Sequence, residues 1–201
     1  MNSGNPYSLL IQSNVGAGCF PGWHQSKSII SRWNLPVPVL VPAGVDEAVQ
    51  DVINEGLAEI KQRLKKEMFV FCDRLAGTGI EIQWGNALGR PDQDIGPNDC
   101  GHVGGYPPDD LVYPQNFRKN DGEIVGPLVV HLWQPKCRRS VSGMKEIVIH
   151  EFGHALGLGS HFKGFGDGPA ISPTFWSVLN CLYDLPLGTD LGTLKKLSGA
   201  Q

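Results

Sequence analysis

The spacing of apolar residues predicts two main helices. Between residues 45 and 66 apolar side chains recur every three or four positions and charged side chains fill the rest, which is typical of an amphipathic helix that covers one side of a sheet. A second helix is expected to begin near Ser142, to run through the apolar segment 144–156 and to end at Gly157 or Gly159. A short helix is also expected near LGTLKKL, residues 191–197.

Strands are expected where apolar and polar residues alternate or where β-branched residues cluster. The prolines of PVPVLVP (36–42) favour a sheet edge or the ends of a strand. GIEIQWG (79–85) alternates as a half-buried strand does, and a short strand is expected near HVGGY (102–106). EIVGPLVVHLW (123–133) is the strongest candidate, with a bend at Gly126 and Pro127.

This order of elements predicts an α+β fold. At 201 residues the chain fits one domain, in which we expect three parts. Residues 1–34, rich in Gly, Ser and Asn, are expected to form an irregular leader. Residues 35–157 would form an upper subdomain with the sheet and both main helices, and residues 158–201 a small, mostly irregular lower subdomain.

Composition narrows the range of partners. The net charge is −3 and basic residues do not cluster, which argues against nucleic acid as a partner. No apolar stretch is long enough for a membrane span, and the first 14 residues lack the features of a signal peptide. The five cysteines contain no C-x-x-C pair, so a cysteine-based metal site is not expected, whereas one or two disulfides would suit a secreted protein. We expect a monomer.

The segment EIVIHEFGHALGLGSHFKG, residues 146–164, holds the strongest chemical signal. His150 and His154 lie four residues apart, so on a helix both imidazoles project from one face toward a single metal ion. Glu151 is offset by about 100° from His150 on the helix, close enough to contact a water molecule next to the metal without being a ligand. The pattern therefore predicts a zinc site.

A catalytic zinc ion generally has three protein ligands and a water molecule. No glutamate follows His154, so a downstream Glu ligand is excluded. His161 is the only downstream histidine and is favoured by ligand type and reach. Aspartates also remain as alternatives for the third ligand: Asp167, Asp184 and Asp190.

HEFGHALGLGSH resembles the H-E-x-x-H-x-x-G-x-x-H motif of the metzincin metallopeptidases, with Ser160 at the place of the third histidine and His161 directly after it. FWSVLNCLYDLPLGTDL (175–191) is similar to the matrixin form of that family's methionine-containing turn, with Leu179 at the methionine position. The resemblance implies a zincin fold: a mixed, mostly parallel twisted sheet, an amphipathic helix, an active-site helix and a small irregular C-terminal subdomain.

The resemblance also implies a function, that of a zinc-dependent endopeptidase. One catalytic Zn²⁺ would be held by His150, His154 and His161, and Glu151 would act as general base toward a polypeptide substrate. Tyr183 and Pro186 would wall the pocket for the residue after the cleaved bond. Secretion is expected from the habit of the family. Two alternatives are a catalytically silent zinc-binding or recognition module and a zinc amidase acting on another amide.

Several further residues allow more than one interpretation. If the strand within GPLVVHLW (126–133) were an exposed edge, Val129 and Val130 could pair with an extended substrate; an ordinary covered strand is the equal alternative. His24, His102 and His131 are interpreted as ordinary histidines. Likewise, Cys19 is interpreted as structural or paired rather than as a latency cysteine, and the acidic segments 92–99 and 107–110 as solvated loops rather than calcium sites.

Overall fold

The computed structural model describes residues 4–15, 28–41, 43–85, 100–105, 119–133 and 137–199. Helices and strands alternate in an irregular order, so the fold is mixed α/β. A π-helical turn, Ile11–Val15, follows the first helix, and a 3₁₀ turn, Val141–Met144, precedes the third. The α-helices are α1 (Pro6–Leu10), α2 (Glu47–Leu64), α3 (Lys145–Ala155), α4 (Pro173–Asp184) and α5 (Leu191–Ser198).

The main sheet has five strands in the order β3-β2-β4-β7-β5, of which β5 alone is antiparallel to its neighbour. Two pairs of two-residue strands lie outside this sheet, β1 with β6 and β8 with β9. The strands are β1 (Arg32–Trp33), β2 (Val37–Leu40), β3 (Phe69–Cys72), β4 (Ile80–Trp84), β5 (Gly101–Gly105), β6 (Glu123–Ile124), β7 (Leu128–Leu132), β8 (Phe162–Lys163) and β9 (Gly166–Asp167).

The core lies between one face of this sheet and helices α2 and α3. In β2 and β4 the buried residues alternate with partly exposed ones, so each strand turns one row of side chains toward the core. That row joins the apolar stripe of α2 and the apolar side chains of α3 in a single cluster. Helix α2 has the amphipathic pattern expected of residues 45–66, and it begins at Glu47 and ends at Leu64.

The prolines of 36–42 were expected to mark a sheet edge or the ends of a strand. The edge is wrong, because β2 pairs with β3 on one side and with β4 on the other, whereas Pro36 does directly precede the strand and Pro38 lies inside it. The Val37 N–H donates to Met68 O on the β3 side, so the nitrogen of Pro38 faces the β4 side. There the ladder starts only at Val39. Pro38 is therefore tolerated in an inner strand because no ladder bond requires its missing N–H.

The strand in GPLVVHLW is covered, not exposed at an edge. β7 pairs with β4 and with β5, and all five of its residues are buried. The bend expected before it is present, since β6 ends at Ile124 and β7 begins at Leu128. Among the described residues β5 is the strand at this edge of the sheet.

Two of the regions expected to be irregular contain helices. Residues 6–15 form α1 and the π-helical turn, and α1 packs against α4 and α5. Residues 173–184 form α4, so the turn expected around Leu179 is replaced by a helix in which Leu179 is fully buried. Ser172 caps α4 and Pro173 follows directly, a combination that favours a helix start.

A disulfide joins Cys100, next to the start of β5, to Cys137, ahead of α3. Cys72 and Cys181 are free thiols, and Cys19 lies outside the described residues. None of the described helices combines the length and apolar character needed to cross a membrane.

Candidate metal centre

Helix α3 carries the first two histidines and the glutamate on consecutive turns. Its α-helical part begins at Lys145, after a 3₁₀ turn capped by Ser140 rather than by Ser142. His150, Glu151 and His154 are all buried, at 9%, 7% and 7% exposure. Because His150 and His154 are four residues apart on this helix, both imidazoles project from the same helix face.

The three histidines of the sequence motif converge. The Nε2 atom of His161 lies 3.1 Å from Nε2 of His150 and 3.1 Å from Nε2 of His154. The ligand atoms of all three residues lie within 4.8 Å of one another. Tetrahedral ligands at a metal–nitrogen distance of about 2.05 Å would stand about 3.3 Å apart, so this group could hold a metal ion.

The rings of His150 and His154 are oriented by backbone carbonyls. His150 Nδ1 lies 3.3 Å from Ala170 O, and His154 Nδ1 lies 2.6 Å from Leu158 O. Because a carbonyl can only accept, Nδ1 carries the proton in each ring and the Nε2 lone pair faces the cluster. Burial lowers the pKa of His150 to about 4 and lowers the pKa of His154 well below its ordinary value. Both rings are therefore neutral near pH 7, as metal ligands must be.

Glu151 lies beside this cluster and against strand β5. A Cβ atom at Gly101 would stand 2.4 Å from Cγ and 2.5 Å from Oε1 of Glu151. The side chain thus occupies the space that the missing side chain of Gly101 leaves, and both residues line the same cleft. A carboxylate next to three convergent imidazoles can accept a proton from a water molecule there.

At the end of α3, two backbone carbonyls each accept a hydrogen bond from a side chain. The Trp33 indole donates to Ala155 O at 2.8 Å, and the Tyr183 hydroxyl donates to Leu156 O at 3.0 Å. Burial raises the pKa of the Tyr183 phenol, which keeps it a donor. These bonds satisfy carbonyls that the end of a helix leaves unpaired and direct the chain toward His161.

Phe165 forms the floor of the cluster, a role that sequence reasoning missed. Its ring centroid lies 4.6 Å from that of His150, 4.7 Å from that of His154 and 5.6 Å from that of His161. Phe165 is fully buried and stacks on Phe175 of α4 at 5.0 Å. The only signal in the sequence is an apolar residue four positions after His161, and nothing local distinguishes it from other core aromatics.

The cleft has a volume of about 890 Å³. Its described lining comes from β5, from α3 and from the segment 161–170, and includes Glu151 and all three histidines. His161 is the exposed member of the three, so the cluster opens toward the cleft on that side. Arg139 and Glu146 also line it and form an ion pair of 3.6 Å.

The residues expected to bind substrate do not lie along this cleft. Val129 and Val130 are buried in β7, whose two backbone edges are both paired. Tyr183 is buried and Pro186 is exposed, and neither lines the cleft. Tyr183 and Pro186 were expected there from the resemblance to a turn, and the structure has helix α4 in its place.

The alternative aspartates have other roles. Asp190 caps α5, where its carboxylate accepts from Thr193 N at 2.8 Å. Asp184 pairs with Lys66 at 2.9 Å. Asp167 is exposed on β9 and is not part of the group of convergent ligand atoms.

His102 and His131 face each other across β5 and β7, with ring centroids 6.0 Å apart. His131 is 1% exposed. His24 and the acidic segments 92–99 and 107–110 lie outside the described residues.

No family model matches the chain, and no curated protein matches it significantly.

Proposed function

We propose that the chain is a zinc-dependent endopeptidase with a metzincin-like catalytic domain. The observation that carries the proposal is the convergence of three imidazole Nε2 atoms beside a buried glutamate in one open cleft. Three neutral nitrogen ligands with an open fourth position are typical of catalytic zinc. The mixed, mostly parallel sheet beneath an H-E-x-x-H helix also agrees with the fold that the resemblance implies.

His150, His154 and His161 would hold the zinc ion, which when bound lowers the pKa of a water molecule and polarises the scissile carbonyl. Glu151 accepts a proton from the attacking water and later donates it to the leaving amine. The carbonyls of Ala170 and Leu158 keep the two helical imidazoles in the tautomer that this chemistry needs.

Strand β5 replaces β7 as the proposed binding edge for the substrate backbone. Residues 100–103 line the cleft, and the described partner of β5 is β7 on one side alone. An extended peptide could add to β5 on the side opposite β7 by main-chain hydrogen bonds. Methylating single backbone nitrogens of a cleaved peptide should slow cleavage at positions that pair with β5, and a flat response along the peptide would argue against this edge.

Glu151→Gln tests the reaction directly. The variant should bind zinc as tightly as the wild type and lose about 100-fold or more in kcat on a peptide that the wild type cleaves, because the proton acceptor is gone. Zinc content and peptide cleavage are measured on the same preparations. Wild-type activity in the variant would exclude Glu151 as the base.

The same assays separate the alternatives. A silent zinc-binding module predicts bound zinc without cleavage of casein, gelatin or a peptide library. A zinc amidase predicts cleavage of another amide substrate, such as peptidoglycan fragments, and not of these proteins.

The Cys100–Cys137 disulfide supports the proposed secretion, since disulfides persist mainly in oxidising compartments.

A further inference from the structure

The loop between the second and third histidines is where the chain departs from the metzincin motif. Ser160 stands where the motif has its histidine, so His161 must reach the metal from a loop one residue longer. A ligand on a loose loop would lose conformational entropy on binding the metal, which weakens affinity. The contacts of residues 157–160 show what holds this loop.

Ser13, in the π-helical turn Ile11–Val15, is bonded to the longer part of the loop three times. Its carbonyl accepts from Gly159 N at 2.8 Å and from Ser160 N at 3.3 Å. Its hydroxyl donates to Ser160 O at 2.8 Å. Ser13 is fully buried. The residue that lengthens the motif is thus held through both its N–H and its carbonyl by one residue from the start of the chain.

Asn14 holds the beginning of the same loop. Its Nδ2 atom donates to Gly157 O at 2.7 Å and to Ser31 O at 2.7 Å, and its Oδ1 atom accepts from Ser31 N at 2.8 Å. Asn14 is fully buried. Gly157 has φ +119°, and a Cβ there would lie 2.7 Å from Ser31 O and 3.1 Å from Asn14 Nδ2. The loop is therefore pressed against this segment too closely for a side chain at residue 157.

The turn that carries both residues is itself anchored. It continues α1, which packs on α4 and α5, and it also contacts α5 directly. Asn5, the cap of α1, donates from Nδ2 to Ser198 O at 3.1 Å. The segment 5–15 therefore forms a fixed surface against which the loop before His161 is set.

We propose that Ser13 and Asn14 are positioning residues of the metal centre, which hold the longer loop so that His161 Nε2 meets the other two nitrogens. This inference rests on the proposed metal site. It gives the start of the chain a defined part in metal binding, in place of the irregular leader expected from sequence. Neither residue touches the metal or the substrate; both act through His161.

A double-mutant cycle tests this. Zinc affinity is measured by competition with a chromophoric chelator for the wild type, Ser13→Ala, His161→Ala and the combined variant. Loss of one hydrogen bond to the loop should weaken zinc binding about five-fold in the wild-type background. In the His161→Ala background the same change should have no further effect, because the residue through which it acts is absent.

Two further variants supply a control and a second test. Ser8→Ala makes the same chemical change on an exposed residue of α1 and should leave zinc affinity unchanged. Asn14→Ala should weaken binding by about ten-fold or more, as loss of a group that orients a ligand does. The Tm of each metal-free variant is recorded, and if Asn14→Ala does not fold, the Ser13 cycle decides alone.

The outcomes distinguish the inference from the function on which it rests. Equal zinc affinity for Ser13→Ala and wild type, or an equal loss in both backgrounds, overturns the positioning role and leaves the metal site standing. A wild-type protein that binds no zinc overturns both. A loss confined to the background that retains His161 supports both.

Discussion

At the scale of single residues, two glycines allow the functional side chains to occupy their places. Gly101 leaves room for Glu151, and Gly166 leaves room for His161: a Cβ at Gly166 would lie 2.3 Å from Cδ2 of the His161 ring. A substitution at Gly101 should therefore perturb the proposed base, and a substitution at Gly166 should perturb the proposed third ligand.

Gly101→Ala should lower activity and spare the metal. The new methyl group displaces Glu151, and a shift of about 1 Å in a catalytic group can lower kcat about 100-fold. Zinc affinity should stay at the wild-type level, because the three atoms nearest to the new methyl group all belong to Glu151. Gly104→Ala on the same strand is the control, since its Cβ would meet neighbours only at 3.6 Å or more. Equal activities for the two variants would contradict the placement of Glu151.

Gly166→Ala should weaken zinc binding by at least about ten-fold, because it pushes the third imidazole away from the other two. Gly166 also has φ +78°, so backbone strain must be separated from the clash. Gly168→Ala supplies that control: φ is +90° there, and its Cβ would meet no atom within 4 Å. A similar loss of affinity in both variants would attribute the effect to strain alone.

The lowered pKa of His150 predicts a pH dependence for the metal-free protein. The value falls from 6.5 to about 4 because burial disfavours the charged ring. The unfolded chain then binds the proton more readily than the folded chain. The contribution of His150 to the free energy of unfolding is therefore complete above pH 6.5, and it is lost as the pH falls from 6.5 to about 4. The Tm in chelator should decline over this range, and His150→Gln/His154→Gln should show a shallower decline.

At the scale of secondary-structure elements, α2 packs tightly against α3 at Gly56. A Cβ there would lie 2.6 Å from Cγ1 of Val148, two residues before His150. Alanine is favoured over glycine in a helix by about 1 kcal/mol, whereas overpacking costs about 1–3 kcal/mol. The clash should therefore decide whether an alanine at this position stabilises or destabilises the protein.

Gly56→Ala is therefore expected to destabilise the protein by about 1 kcal/mol in urea unfolding. In a Val148→Ala background, where the obstructing methyl groups are absent, the same change should become neutral or stabilising. A stabilising effect in the wild-type background would show that the helices have room to separate.

Element prediction succeeded where one short segment contains its own periodicity. α2, α5, β4 and β5 follow their sequence patterns, and α3 differs only at its ends. The prediction for residues 173–184 was wrong. The resemblance indicated a turn there, whereas Ser172 and Pro173 are typical of a helix start and precede α4. β3 was missed as well. Its four residues are all apolar, and in the structure Val70 and Phe71 are exposed, so no alternation marks them as a strand.

At the scale of the whole molecule, the Cys100–Cys137 disulfide ties the edge strand of the cleft to the segment before α3. The two cysteines are 37 residues apart. In the chain-entropy model a loop of this length corresponds to about 4 kcal/mol of stability. Cys100→Ser/Cys137→Ser should lose about that much in urea unfolding, whereas Cys72→Ser, at a free thiol, should lose much less. Equal losses would mean that the disulfide adds nothing beyond side-chain packing.

The sequence by itself determined the part of the site that lies on one helix. His150 and His154 share a face, and Glu151 follows, because an α-helix repeats every 3.6 residues whatever surrounds it. Residue type and proximity also favoured His161 over the aspartates. These inferences need no knowledge of which distant segments meet.

Only the tertiary structure decided the rest. Three features depend on contacts between segments far apart in the chain: β5 and not β7 is the outer strand of the described sheet, Phe165 underlies the three rings, and Ser13 holds the loop before His161. The segment holding Ser13 meets that loop across 147 positions. Local periodicity carries no information about such pairings, because they arise from the burial of whole surfaces against one another.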